Sequence, residues 1–141
     1  MGLARRDWMM LAALGGLLSV ALGAFATHGM KDPKAAEIVK TGASYQFMHC
    51  MATFACATFM QIGARRARFA PAFFLPGVVL FSGSLYALAF GAPRIVGVIT
   101  PIGGVLFLLG WATLAWSSRG IDVETKRRPI HPQRSFGSRR V

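Results

Sequence analysis

The sequence predicts an all-α fold inside a membrane: a four-helix bundle of up-down topology with both termini cytoplasmic. Three observations carry this. Apolar residues make up 54% of the chain and fall into four blocks, Trp8 to Thr27, Ser44 to Ile62, Ala70 to Phe90 and Ile95 to Trp116. Each block is about 20 residues long, enough at ~1.5 Å per residue to cross a ~30 Å hydrocarbon core. None contains Lys, Arg, Asp or Glu, whereas a soluble helix keeps a charged face. Third, the net charge of +11 is unevenly placed. Arg5 and Arg6, then Arg65, Arg66 and Arg68, then seven bases after the fourth block make twelve of the sixteen, and all three segments share one side of a four-span protein. The other side has Lys31, Lys34, Lys40 and Arg94, offset by Asp32 and Glu37. The positive-inside rule assigns the richer side to the cytoplasm.

The first block follows two arginines and ends in Ala24-Phe25-Ala26, the pattern of a cleavable signal. It is longer than a usual signal core, so it reads as a retained span. Along it Gly15, Ser19 and Gly23 recur every fourth residue, a stripe on which another helix can approach closely. His28-Gly29 closes the helix. Asp32-Pro33 then reads as an N-cap followed by proline at the first helical position, which predicts a short helix over Pro33 to Thr41, at the outer interface or leading into the second span, with a bend at Gly42.

Arg65-Arg66-Ala67-Arg68 predicts a tight cytoplasmic turn that contacts anionic lipid headgroups. In the third block Pro76 leaves the carbonyl of Ala72 without a helical partner and predicts a kink. The short turn Gly91-Ala92-Pro93-Arg94 makes the third and fourth helices antiparallel neighbours. In the fourth block Pro101 would free the carbonyl of Gly97, and Gly103 and Gly104 form a second candidate packing surface. Trp8 and Trp116 fall at the cytoplasmic ends, where an aromatic belt is expected. Cys50 and Cys56, six apart on one helix, cannot bridge each other and read as apolar fillers.

From Arg119 to Val141 the composition turns basic and Pro/Gly/Ser-containing, too poor in apolar residues to fold alone. The chain thus divides into a transmembrane domain over 1–118 and a cytoplasmic tail over 119–141. Lys126, Arg127 and Arg128 in the tail join Arg65, Arg66 and Arg68 as expected headgroup contacts. No aromatic interleaving points to nucleic acid.

The polar residues within the spans are the candidate site. Tyr45, Gln46 and His49 share one helical face, and with the second helix beginning near Ser44 they fall close to its outer end. His28, Tyr86, Ser82 and Thr100 fall at similar depth on the other three helices. In hydrocarbon such groups must bond one another, water or a freed carbonyl, which predicts an inward-facing layer in the outer third of the bundle. One reading is glue that fixes helix register. The other is a site where His28 and His49 titrate or bind a proton, ion or small polar ligand. Two histidines without a third ligand make a poor metal site, and four short spans leave little room for a haem, so no metal or cofactor is expected. The five acids lie outside the spans and no serine has a base and orienting acid, so no catalytic residue is expected.

Gly23-Ala24-Phe25-Ala26-Thr27-His28-Gly29, Tyr45-Gln46-Phe47-Met48-His49, Phe81-Ser82-Gly83-Ser84-Leu85-Tyr86 and Ile99-Thr100-Pro101-Ile102-Gly103-Gly104 through Gly110-Trp111 together resemble the signature blocks of the YgdD-like membrane proteins. The resemblance covers Trp8 to Trp116 in order, with Ala26-Thr27-His28 where the family usually reads Gly-Ala-His. It implies a small multi-span protein of the bacterial inner membrane, with animal relatives, in a domain family of unknown function. The expected role is a non-enzymatic structural, assembly or accessory component that binds a membrane-protein partner or a second copy through the Gly15, Ser19, Gly23 stripe or an exposed helix face. A binding or permeation module built on the polar layer is the alternative.

Overall fold

The computed structural model describes residues 5–121. It contains four α-helices: α1 (Arg5–His28), α2 (Pro33–Gln61), α3 (Pro71–Ala89) and α4 (Thr100–Ser118). Short 3-10 turns over Arg65–Phe69 and Arg94–Val98 lead into α3 and α4, and no strand occurs among the described residues. The expected cluster Lys126, Arg127, Arg128 lies outside them.

Sequential helices are antiparallel neighbours. Gly15 and Gly23 of α1 face Cys50 and Ala43 of α2, while Gly77 and Gly110 meet Phe107 and Phe74 across the α3–α4 contact. The helices pack in chain order, α1 on α2, α2 on α3 and α3 on α4. Contacts of α1 with α3 and of α2 with α4 are slight, so α2 and α3 form the inner pair and α1 and α4 the flanks.

Three stretches, Arg5–His28, Arg65–Ala89 and Arg94–Ser118, are long and apolar enough to cross a membrane. The second helix differs from the expected fourth equal span. Its 29 residues carry Lys34, Glu37 and Lys40 near the start and Gln46 and His49 in the middle, so its mean apolarity is lower. Placed between α1 and α3, it can carry polar groups because neighbouring helices shield them. It is also continuous. The segment from Pro33 to Thr41 and the expected second span are one helix, and Gly42 marks a close approach rather than a bend: a β-carbon there would lie 2.7 Å from Cε1 of Tyr86.

Local signals explain the ends. Asp32 Oδ1 accepts from the Lys34 amide at 3.0 Å, with Pro33 opening the helix. α2 and α3 both end in a Schellman motif. Gly63 (φ 103°) lets the Ala64 amide reach the Phe59 carbonyl at 2.9 Å, and Gly91 (φ 94°) lets Ala92 reach Ala87 at 2.9 Å. α3 runs through Pro76 as one helix. Pro101 stands in the first turn of α4, where no amide is needed, so it opens that helix instead of interrupting it.

Outward faces are apolar: Leu17 is 69% exposed and Leu108 70%, with Leu14, Leu18, Val79, Ile102 and Val105 similarly open. Such surfaces belong against lipid tails. Of the ten basic residues among those described, six gather at one end, Arg5, Arg6, Arg65, Arg66, Arg68 and Arg119. The Arg66 guanidinium lies 4.6 Å from the Trp116 ring, and Arg5 and Arg68 line one cleft. Trp116 is exposed there, as a belt residue should be, whereas Trp8 is buried in a core with Cys56, Ala67, Phe74, Phe107 and Leu114.

Candidate functional site

The polar residues form a connected set centred on α2. Gln46 is its hinge: Nε2 donates to the Gly15 carbonyl of α1 at 2.6 Å, and Oε1 accepts from the Tyr86 hydroxyl of α3 at 2.9 Å. A carbonyl only accepts, so the Gly15 bond fixes which end of the amide points to α1. One turn earlier, Ser82 Oγ donates to the Gly42 carbonyl at 2.8 Å, where the missing side chain lets α3 approach. Ser84 and Thr100 pair at 2.7 Å between α3 and α4.

His49 lies one turn beyond Gln46 and is buried. Its Nε2 accepts from the indole N–H of Trp111 on α4 at 3.2 Å, and its Nδ1 is 2.7 Å from the Tyr45 carbonyl. An indole nitrogen only donates and a carbonyl only accepts. His49 is therefore a neutral imidazole with the proton on Nδ1 and both nitrogens engaged. The ring stacks on Phe107, with centroids 3.5 Å apart and planes 8° from parallel, and Phe74 tilts against it.

Geometry changes the expected layer in four ways. It is a column, because α2 begins at Pro33 and His49 lies sixteen residues in, ~24 Å along at ~1.5 Å per residue. Ser84 and Thr100 mark its end beside the start of α4, and the His49–Trp111 bond sits near mid-bundle. His28 stands apart, exposed at the end of α1. Tyr45 contributes its carbonyl, while its ring tilts against Phe81 with centroids 4.6 Å apart and stays partly exposed. The Gly97 carbonyl, expected to be freed, has no part: Pro101 opens α4, and Thr100 bonds Ser84.

The small-residue stripe is also engaged within the chain. Ser19 is buried, Gly23 faces Ala43, and a β-carbon on Gly15 would lie 2.6 Å from Cys50 Sγ. It seats α1 on α2, so it is not a free face for a partner. Of the pair Gly103 and Gly104 on α4, Gly103 is packed against the α3 backbone at Phe81, while a β-carbon on Gly104 would meet only the Phe81 ring, at an ordinary 3.9 Å.

Sequence reasoning missed Trp111, Ser84 and the carbonyls of Gly15 and Gly42. Trp111 lies well inside α4, where a lone aromatic reads as apolar filler, and backbone acceptors carry no sequence signal. Ser84 and Tyr86, two residues apart on one helix, point to different faces and serve different neighbours, α4 and α2.

Chemically the column is saturated. Among the described residues every buried side-chain nitrogen and oxygen has a partner. Five links join helices, through Gly15, Gly42, Tyr86, Trp111 and Thr100. At ~0.6 kcal/mol each they contribute about 3 kcal/mol to helix association. Thr53 donates to the His49 carbonyl at 2.9 Å and Cys56 to Ala52 at 3.2 Å, so these groups are engaged along their own helix. No three His, Cys, Asp or Glu side chains are grouped to hold a metal among the described residues.

Compared with known proteins, residues 22–104 match the family described as "Protein of unknown function (DUF423)". A "UPF0382 membrane protein" of Haemophilus influenzae is 45% identical over 117 residues, covering 81% of this chain and 94% of that protein. The "UPF0382 inner membrane protein YgdD" of Escherichia coli K12 is 41% identical over 116 residues, covering 77% and 86%. A "UPF0382 membrane protein" of Schizosaccharomyces pombe is 38% identical over 113 residues, covering 74% and 94%. No solved structure matches.

Proposed function

The chain belongs to the DUF423 family, as a multi-pass membrane protein, and on that premise we propose that it is a non-enzymatic structural or accessory component of the cell's inner membrane, whose polar column is internal glue. The observation that carries this is the saturation of the column: Gln46 bonds two neighbouring helices and His49 has no nitrogen left over. A relay between two histidines lacks its parts, because His28 is exposed at a helix end outside the column. Support for a non-catalytic role comes from the same bonds. The buried hydroxyls of Ser19, Thr53 and Ser82 donate to carbonyls, and Asp7, Asp32 and Glu37 stand near helix starts, away from the column.

A double-mutant cycle tests the glue. Gln46→Leu and Tyr86→Phe, measured singly and together by reversible unfolding in bicelles, are expected to show a coupling of about 0.6 kcal/mol and no more than ~1.7. Additive losses would sink the reading. Proton leakage from reconstituted vesicles that is abolished by Gln46→Leu would favour permeation instead.

We also propose that the basic end, with Arg5, Arg65, Arg66, Arg68 and Arg119, faces the cytoplasm. Native Cys50 and Cys56 are buried and silent to labelling. Lys31→Cys is expected to react with an impermeant maleimide on intact cells, and Ser118→Cys only after permeabilisation. The reverse pattern would contradict the orientation.

A further inference from the structure

We propose that the cleft between α1 and α3 at the basic end binds one anionic phospholipid, its phosphate held by Arg5 and Arg68 and an acyl chain lying against Leu11, Leu75, Pro76 and Val79. The cleft exists because α1 and α3 both pack on α2 and scarcely touch each other. They leave a cavity of ≈ 860 Å³, floored by Met60 and Trp8. That volume lies within the ~300–1,000 Å³ of sites that enclose a ligand.

The chemistry of its two ends selects the occupant. Arg5 stands at the first turn of α1, and Arg68 lies in the turn before α3 with its guanidinium 4.7 Å from the Phe69 ring. Both cations therefore sit at the helix ends, at headgroup depth, where planar guanidinium groups suit a phosphate. Asp7, the acid nearest Arg5 in sequence, is paired with Arg6 at 3.7 Å. Below the arginines the wall is apolar, and from Pro71 to Val79 it descends ~12 Å at ~1.5 Å per residue, within one leaflet of a ~30 Å core. Leu11 and Val79 are exposed on the outer surface, so a lipid tail can enter sideways from the bilayer. A charged head over an apolar slot matches a phospholipid and not a free anion. This site is separate from the polar column and does not depend on the column's role.

The test is native mass spectrometry of the full chain in detergent, titrated with phosphatidylglycerol and phosphatidylcholine. Wild type is expected to retain one phosphatidylglycerol with about tenfold preference. Arg68→Gln should weaken retention about fivefold, and Arg5→Gln with Arg68→Gln about thirtyfold. Ala72→Trp fills the cleft from an exposed position and keeps both charges, so it should abolish selective retention with unchanged thermal unfolding. Wild-type retention by Ala72→Trp would overturn the cleft as the site. Equal retention of the two lipids, or full displacement by inorganic phosphate, would overturn the assigned ligand.

Discussion

Gly103→Leu is expected to prevent α3 and α4 from associating. A β-carbon at Gly103 would press on the amide nitrogen of Phe81 and lie 2.8 Å from its Cα. Those are backbone atoms of the opposing helix, which cannot rotate away as a side chain can. A β-carbon on Gly77 of the other helix would lie 3.3 Å from the Gly103 carbonyl, so the crossing is closed from both sides. Overpacking a core costs about 1–3 kcal/mol, and more where the obstacle is rigid. Gly103→Ala should therefore lose about 2–3 kcal/mol, and Gly103→Leu should fail to accumulate in the membrane. Gly104→Ala is the control, since its added methyl meets only the Phe81 ring at 3.9 Å and should change stability by less than about 0.5 kcal/mol. Unfolding in bicelles measures all three; equal behaviour at Gly103 and Gly104 would refute a tight α3–α4 crossing.

Phe74→Ala should have the next largest effect. Phe74 is 0% exposed, touches Gly110 across the α3–α4 contact and tilts against His49 and Trp111 at 5.7 and 5.4 Å between centroids. In a soluble core this truncation costs about 3–5 kcal/mol, part of it transfer from water. A membrane removes most of the transfer part, because lipid is as apolar as the core. The remaining packing loss is about 2 kcal/mol. The cavity also releases the ring that holds His49 in place, so the loss should exceed that of Phe69→Ala, an exposed ring, by a clear margin in the same unfolding measurement.

Legibility followed the physics of each signal. Helix ends were readable because they are local: Asp32-Pro33 and Gly91 specify their caps within a few residues. The apolar blocks located α1, α3 and α4, with ends one to five residues from the observed ones. The extent of α2 was not readable, because Lys34, Glu37 and Lys40 look interfacial until shielding and a continuous helix are seen together. That one shift moved His49 about 24 Å from the helix start and turned a layer into a column. The column's members were partly legible, since a polar side chain in a span must find a partner. Their partners were not. Gln46 reaches a glycine carbonyl 31 residues away and His49 a tryptophan 62 residues away, choices set by helix rotation that no spacing rule encodes. The small-residue stripe shows a related limit: sequence says that Gly15, Ser19 and Gly23 pack closely, not whether the neighbour is α2 or another protein.

The central claim is that the polar column is closed on itself, and His49 tests it most directly. With the ring nitrogens labelled with nitrogen-15 and the protein in lipid bilayers at neutral pH, solid-state NMR should find one neutral imidazole with Nδ1 protonated and Nε2 bare, coupled through a hydrogen bond to the indole N–H of Trp111. A doubly protonated ring, the opposite tautomer, or a Trp111 indole N–H that exchanges freely with water would contradict it.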